Sequence, residues 1–178
     1  MNFNLSEGPL SVKVLVTMVL LGIALTYAIL ALHIYIDTEF KPALISEAYS
    51  TFEWIELTDQ THKYFPYYGI YIFAFSLFIF VLGTRYSEKL KIFFSIFVPV
   101  MIVTDIGSMW AIPYINKVIF GWVLFFAGNF LALSFGTIFI LTLYDVWIKK
   151  WTSTKIGNQK GGKRKRVDAL EKNESEYH

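Results

Sequence analysis

Hydrophobic and polar positions divide the chain into four long apolar runs separated by short polar stretches. The runs extend from Val14 to Ile36, from Pro66 to Thr84, from Ile92 to Ile112 and from Val118 to about Val146. A hydrocarbon core takes about 20 helical residues to cross, so each run is long enough to span a membrane. Backbone polar groups find no water in lipid, and a helix satisfies them internally. The fold class expected is all-α, an integral membrane four-helix bundle. The fourth run exceeds a perpendicular crossing and is expected to tilt or to end among the headgroups. The first run is about twice the apolar length of a signal peptide, and no small-residue cleavage site follows it, so it is expected to be retained as a helix.

Between Lys41 and Leu57 the apolar positions recur at a helical period. Leu44, Ile45, Ala48, Phe52 and Ile55 fall on one side, and Ser46, Glu47, Ser50 and Glu53 on the other. Pro42 suits a first helical turn. The pattern predicts one short amphipathic helix lying on the membrane surface or capping the bundle. After Trp151 the chain turns polar, with Gly157, Gly161 and Gly162 and the tetrad Lys163, Arg164, Lys165 and Arg166. Residues 1–148 thus read as the bundle, and 149–178 as a basic tail with too little apolar surface to order itself.

Charge sets the orientation. Arg85, Lys89 and Lys91 follow the second run, and nine lysines and arginines lie between Lys149 and Lys172. The opposite side holds Lys41, Lys63 and Lys117 against Asp37, Glu39, Glu47, Glu53, Glu56 and Asp59. Basic residues concentrate in cytoplasmic loops, so both termini are expected in the cytoplasm and residues 41–65 outside. In that setting the basic tetrad is expected to meet anionic headgroups, not nucleic acid. Aromatic residues gather where interfacial anchors belong: Tyr64, Phe65, Tyr67, Tyr68, Trp110, Tyr114, Trp147 and Trp151.

Composition agrees with the runs. Of 178 residues, 55% are hydrophobic, 19% aromatic and 17% charged, whereas soluble domains carry about 25% charged residues. The chain has no cysteine, which excludes disulfides, covalent c-type haem and thiol nucleophiles. It has three histidines, too few for two haems with paired histidine ligands. No Gly-rich phosphate loop, metalloprotease motif or nucleophile elbow is present.

Small residues form stripes on the predicted helices. Gly128, Ala132 and Gly136 recur every fourth residue in the last, Gly69, Ser76 and Gly83 every seventh in the second, and Gly22, Thr26 and His33 share a sector of the first. Such spacing lets membrane helices approach closely, and Gly128, Ala132 and Gly136 are expected to meet another helix. Pro99 lies inside the third run and is expected to kink it. Asp105 follows, with Met101, Ser108 and Met109 on its side. A carboxylate in hydrocarbon costs about 2.5–3.5 kcal/mol on insertion scales, so it should face the bundle or a wet cavity. Asn129 is the other polar group at comparable depth. A neutral Asp105 donating to Asn129 or Ser108 is the structural reading, and proton exchange the functional one. His33, near the outer end of the first run, and His62, read as a loop residue, are the only candidates for a single b-type haem or for a quinone. Asp145 is expected to pair with nearby lysines.

Thr104-Asp105-Ile106-Gly107-Ser108 with Trp110, and Leu143-Tyr144-Asp145 with Trp147, resemble stretches of a group of small uncharacterised four-span bacterial membrane proteins. The resemblance covers most of residues 11–148. It implies a bacterial inner-membrane location and carries over no catalytic residue.

Three functional readings follow. The first is a non-catalytic subunit or accessory protein of a larger membrane assembly, held to other subunits or to further copies of itself. The second is a redox-linked anchor using His33 and His62. The third is a proton or small-solute pathway through Asp105. The orientation is directly testable: cysteines introduced at Glu53 and Gly161 should react with an impermeant maleimide from opposite sides of the membrane, and labelling of both from outside would reverse the assignment.

Overall fold

The computed structural model describes residues 5–148, which hold the predicted bundle. The basic tail, including the tetrad Lys163, Arg164, Lys165 and Arg166, lies outside the described residues. After a short 3-10 turn at Leu5–Glu7 come α1 (Leu10–Thr38), α2 (Pro42–Ser50), α3 (Trp54–Tyr64), a π-helical segment (Phe65–Ala74), α4 (Phe75–Gly83), α5 (Glu88–Tyr114) and α6 (Lys117–Trp147). No strand occurs among the described residues. Four helical stretches are long and apolar enough to cross a membrane: α1, the continuous run Trp54–Gly83, α5 and α6. The all-α, four-span expectation is thus met.

The helices overrun the apolar runs, and local caps set the starts of α3 and α6. Asn116 starts α6, its side-chain oxygen accepting from the N–H groups of Val118 and Ile119, both at 3.0 Å; this satisfies donors left over at a helix start. Glu53 and Glu56 form a reciprocal capping box that starts α3. That box explains the main departure from the sequence reading. The predicted single helix over residues 41–57 is two helices, broken at Thr51, Phe52 and Glu53, and the second runs without interruption into the second span. His62 therefore stands on a helix, not in a loop. α5 continues through both Pro99 and Pro113.

α1 turns into α2 through Glu39 and Phe40, both with left-handed backbone (φ 49° and 52°). Side chains other than glycine seldom adopt this region. Here Lys41 N–H donates to Thr38 O at 2.8 Å, and Phe40 packs on Tyr35. The reversal lays α2 across one end of the bundle. Its buried residues are Ile45 and Ser46, while Ala48 is exposed. Ser46 was expected on the polar side, yet it is buried against Gly121 of α6, because a residue without a side chain leaves space only for a small partner. The Ser46 hydroxyl is satisfied locally by Pro42 O at 2.7 Å.

Packing resolves into two apolar clusters. The larger, nearer the terminal end, holds Ile23, Ile72, Phe73, Phe80, Phe94, Val98, Leu131, Phe135 and Ile138. The smaller, under α2, holds Ile45, Met109, Ile112 and Leu124 with Tyr49 and Tyr64 against it. At the terminal end the first turn folds back on the bundle. Leu5 occupies the space beside Gly83, Lys13 donates to Ser6 O at 2.9 Å, and Glu7 pairs with Arg85.

A Cβ at Gly121 would lie 2.5 Å from Ser46 Oγ and 3.1 Å from Pro42 O. Gly121→Leu should therefore lift α2 off α6 and lower the unfolding midpoint in detergent, whereas Gly22→Leu, at a glycine with nothing within 4 Å, should be tolerated. Equal effects at the two positions would show that α2 is not seated on Gly121.

Candidate functional site

Asp105 lies on α5 about 13 Å below its Tyr114 end, taking about 1.5 Å per residue. Its neighbours on α5, Met101 and Ile102, pack on the larger cluster, and Met109 belongs to the smaller. The carboxyl is thus at the seam between the two. Across from it Gly128 of α6 provides a wall without a side chain, since a Cβ there would be 3.8 Å from Asp105 Oδ1. One helical turn before Asp105, Ile102 lies against Gly69 of the π-helical segment, whose Cβ would be 3.6 Å away. Tyr27 of α1 and Tyr49 of α2 are within electrostatic reach of the carboxylate. Burial pushes the Tyr49 phenol well above its ordinary range, and the charges of Tyr64, Asp105 and Asp37 add to the effect. Among the described residues Asp105 forms no hydrogen bond or ion pair.

The structure does not bring Asp105, Asn129 and Ser108 together. The Asn129 amide donates to Phe125 O at 2.7 Å, and the residue is exposed on the outside of α6. The Ser108 hydroxyl is buried and donates to Thr104 O at 2.6 Å. The Ser108 hydroxyl and one Asn129 N–H thus donate to carbonyls of their own helices. Of the stripe Gly128, Ala132 and Gly136, Gly128 lies against Asp105 of α5, and Gly136 has nothing within 4 Å among the described residues. The tight contacts fall instead at Gly83 and Gly121, where glycine faces a side chain from a neighbouring element.

His33 is exposed and pairs with Asp37 one turn on, Nε2 to Oδ2 at 3.5 Å. His62 lines a shallow, open groove with Thr58, Thr61, Phe65, Pro66 and Trp110, which does not include His33. No group of three or more His, Asp or Glu side chains suited to a metal occurs among the described residues. Trp110 does more than anchor an interface. Its indole N–H donates to Thr61 Oγ1 at 2.8 Å and its ring meets Trp54 edge to face at 4.7 Å, tying α5 to α3. Asp145 is fully buried at the terminal end, where its carboxylate accepts the Arg85 backbone N–H at 3.2 Å. Lys149 and Lys150, which the sequence suggested as its partners, lie outside the described residues. Tyr86 donates to Leu141 O at 3.2 Å, and its phenol is raised above the ordinary value by burial and then by the charges of Asp145 and Tyr144.

Four spanning helices, two capped ends and an intramembrane carboxyl define a multi-pass integral membrane protein. The chain belongs to the Aq_1264_TM family, a transmembrane helical domain, whose family model matches residues 51–153, more than half of the chain. The matched stretch takes in α3 to α6 and with them Asp105, Asn129 and Trp110. Comparison with curated proteins and with solved structures found no match.

The α3–α5 tie was not visible in the sequence because Thr61 and Trp110 are 49 positions apart. Trp110→Phe keeps the ring and removes the donor, so it should cost about 1 kcal/mol of stability. Trp110→Ala, which also removes the contact with Trp54, should cost more. An unchanged stability for Trp110→Phe in reversible detergent unfolding would show that the hydrogen bond contributes nothing, and equal losses for the two variants that the ring contact adds nothing.

Proposed function

We propose that this protein is a non-catalytic subunit of a larger assembly in the bacterial inner membrane, with both termini cytoplasmic. The observation that carries the reading is the exposed position of Asn129. It lies about 18 Å from the start of α6, near mid-membrane, on the outside of the bundle. A primary amide facing hydrocarbon is costly, whereas between membrane helices it acts as glue. Its Nδ2 is used by Phe125 O, which leaves the side-chain oxygen as an acceptor for a neighbouring chain. Gly136 is two turns further along the same face and open, so a second backbone can come close there. α1 also contributes few buried residues to the bundle, Leu20 and Ile23 being the buried apolar ones.

This reading is preferred to a redox anchor because His33 is engaged by Asp37 and the His62 groove excludes it. The tail tetrad Lys163, Arg164, Lys165 and Arg166 fits the same assignment, as a contact with anionic lipid on the cytoplasmic face.

Gently extracted protein should migrate on native gels as a species larger than one chain. Asn129→Leu should shift it toward the monomer, while Phe130→Leu, on the adjoining position, should leave it unchanged. A wild-type monomer without co-purifying protein would overturn the proposal.

A further inference from the structure

We propose that Asp105 is a proton-exchange site: its carboxyl binds and releases a proton inside the membrane, at the seam between the two apolar clusters. The inference is independent of the subunit reading, which rests on the exposed Asn129.

Placement argues first. A carboxyl used only to hold helices together should be locked in hydrogen bonds, because an unsatisfied polar group in hydrocarbon is costly. Asp105 makes none among the described residues, although Ser108 is on its own helix one turn away and spends its hydroxyl on Thr104 O. The wall opposite is Gly128, which neither donates a side-chain hydrogen bond nor fills the space. The carboxyl is half-buried, neither sealed in the core nor pressed fully against the lipid.

The groups around it are of the kind that leave a proton mobile. Tyr27 of α1 and Tyr49 of α2 are within electrostatic reach of it, Tyr49 being reached also by Tyr64 of α3 and by Asp37. α6 presents Gly128, and the π-helical segment presents Gly69 to the preceding turn. No lysine, arginine or histidine among the described residues pairs with the carboxyl to hold it ionised. Phenols carry no charge at neutral pH, so neither tyrosine holds the carboxyl in one protonation state by an ion pair. The π-helical geometry of residues 65–74, opposite Ile102, adds to the case, since such segments cluster at functional sites. The site's ligand is the proton; a metal cation would need oxygen ligands in number, and no group of three or more metal-ligating side chains occurs among the described residues.

A protonated intramembrane carboxyl adds to N,N′-dicyclohexylcarbodiimide. Its proton goes to one nitrogen and its oxygen to the central carbon, and the acyl group then migrates to nitrogen with no atom lost. Full-length protein in phosphatidylcholine vesicles is treated with this reagent across mildly acidic to mildly alkaline pH, and the adduct is located by peptide mass spectrometry. The expected result is an adduct on Asp105 whose initial rate, corrected for reagent decay, falls about tenfold per pH unit above its midpoint. Asp105→Glu should retain the adduct and Asp105→Asn should lose it. A wild-type protein with native Trp fluorescence but no adduct at Asp105 would overturn the proposal. A rate constant at every pH would do the same, since the proton would then be held structurally. Protection by sodium chloride but not by choline chloride at one pH would reassign the site to a metal cation.

Discussion

The long contact between α5 and α6 is the interaction on which the rest of the bundle depends. These two helices share the most extensive interface in the molecule, and α2 rests on both. In lipid, apolar side chains gain nothing by leaving the solvent, so helix pairing depends on fit at short range. Nearly all hydroxyls in the helices are spent on their own backbone four residues back: Thr17, Thr26, Ser46, Ser76, Thr104, Ser108, Ser134, Thr137 and Thr142. Their protons are therefore spent within their own helices and do not join one helix to another. Shape carries the assembly, through interlocked Phe, Ile and Leu and a few glycines. The cross-helix bonds that remain are from indoles, Trp110 to Thr61 and Trp147 to Thr17 at 3.0 Å, one toward each end of the bundle.

Both ends are closed by short segments of the same chain. Where α2 lies, Ser46 fits the space left at Gly121; at the other end Leu5 fits the space left at Gly83. The logic is the same in each case: a helix position without a side chain receives a residue from a segment that does not span the membrane. Charged groups then hold the terminal end, Glu7 with Arg85 and Lys13 with the Ser6 carbonyl. Between the closures, Asp105 lies where the two apolar clusters meet. Asp105 lies against Gly128 of α6, while Asn129, the next residue, is exposed on the outside of the bundle.

Much of the architecture follows from one-dimensional pattern. Run length and the need to satisfy backbone groups in lipid determine four helices, and apolar spacing alone placed their boundaries within a few residues for α1, α5 and α6. The same pattern singled out Asp105 and Asn129, because a polar residue in an apolar run is conspicuous whatever its partner. Tertiary structure decided the partners. Glycines at helical spacing look alike in sequence, yet Gly121 is filled by Ser46 and Gly136 by nothing, since close approach depends on what the opposing element offers there. Asn129 and Ser108 read as partners of Asp105, but each had a carbonyl four residues back within reach and took it. The break after Ser50 turned on a capping box at Glu53 that apolar periodicity does not register. Periodicity reports which residues avoid water; which surfaces meet is a property of the packed bundle.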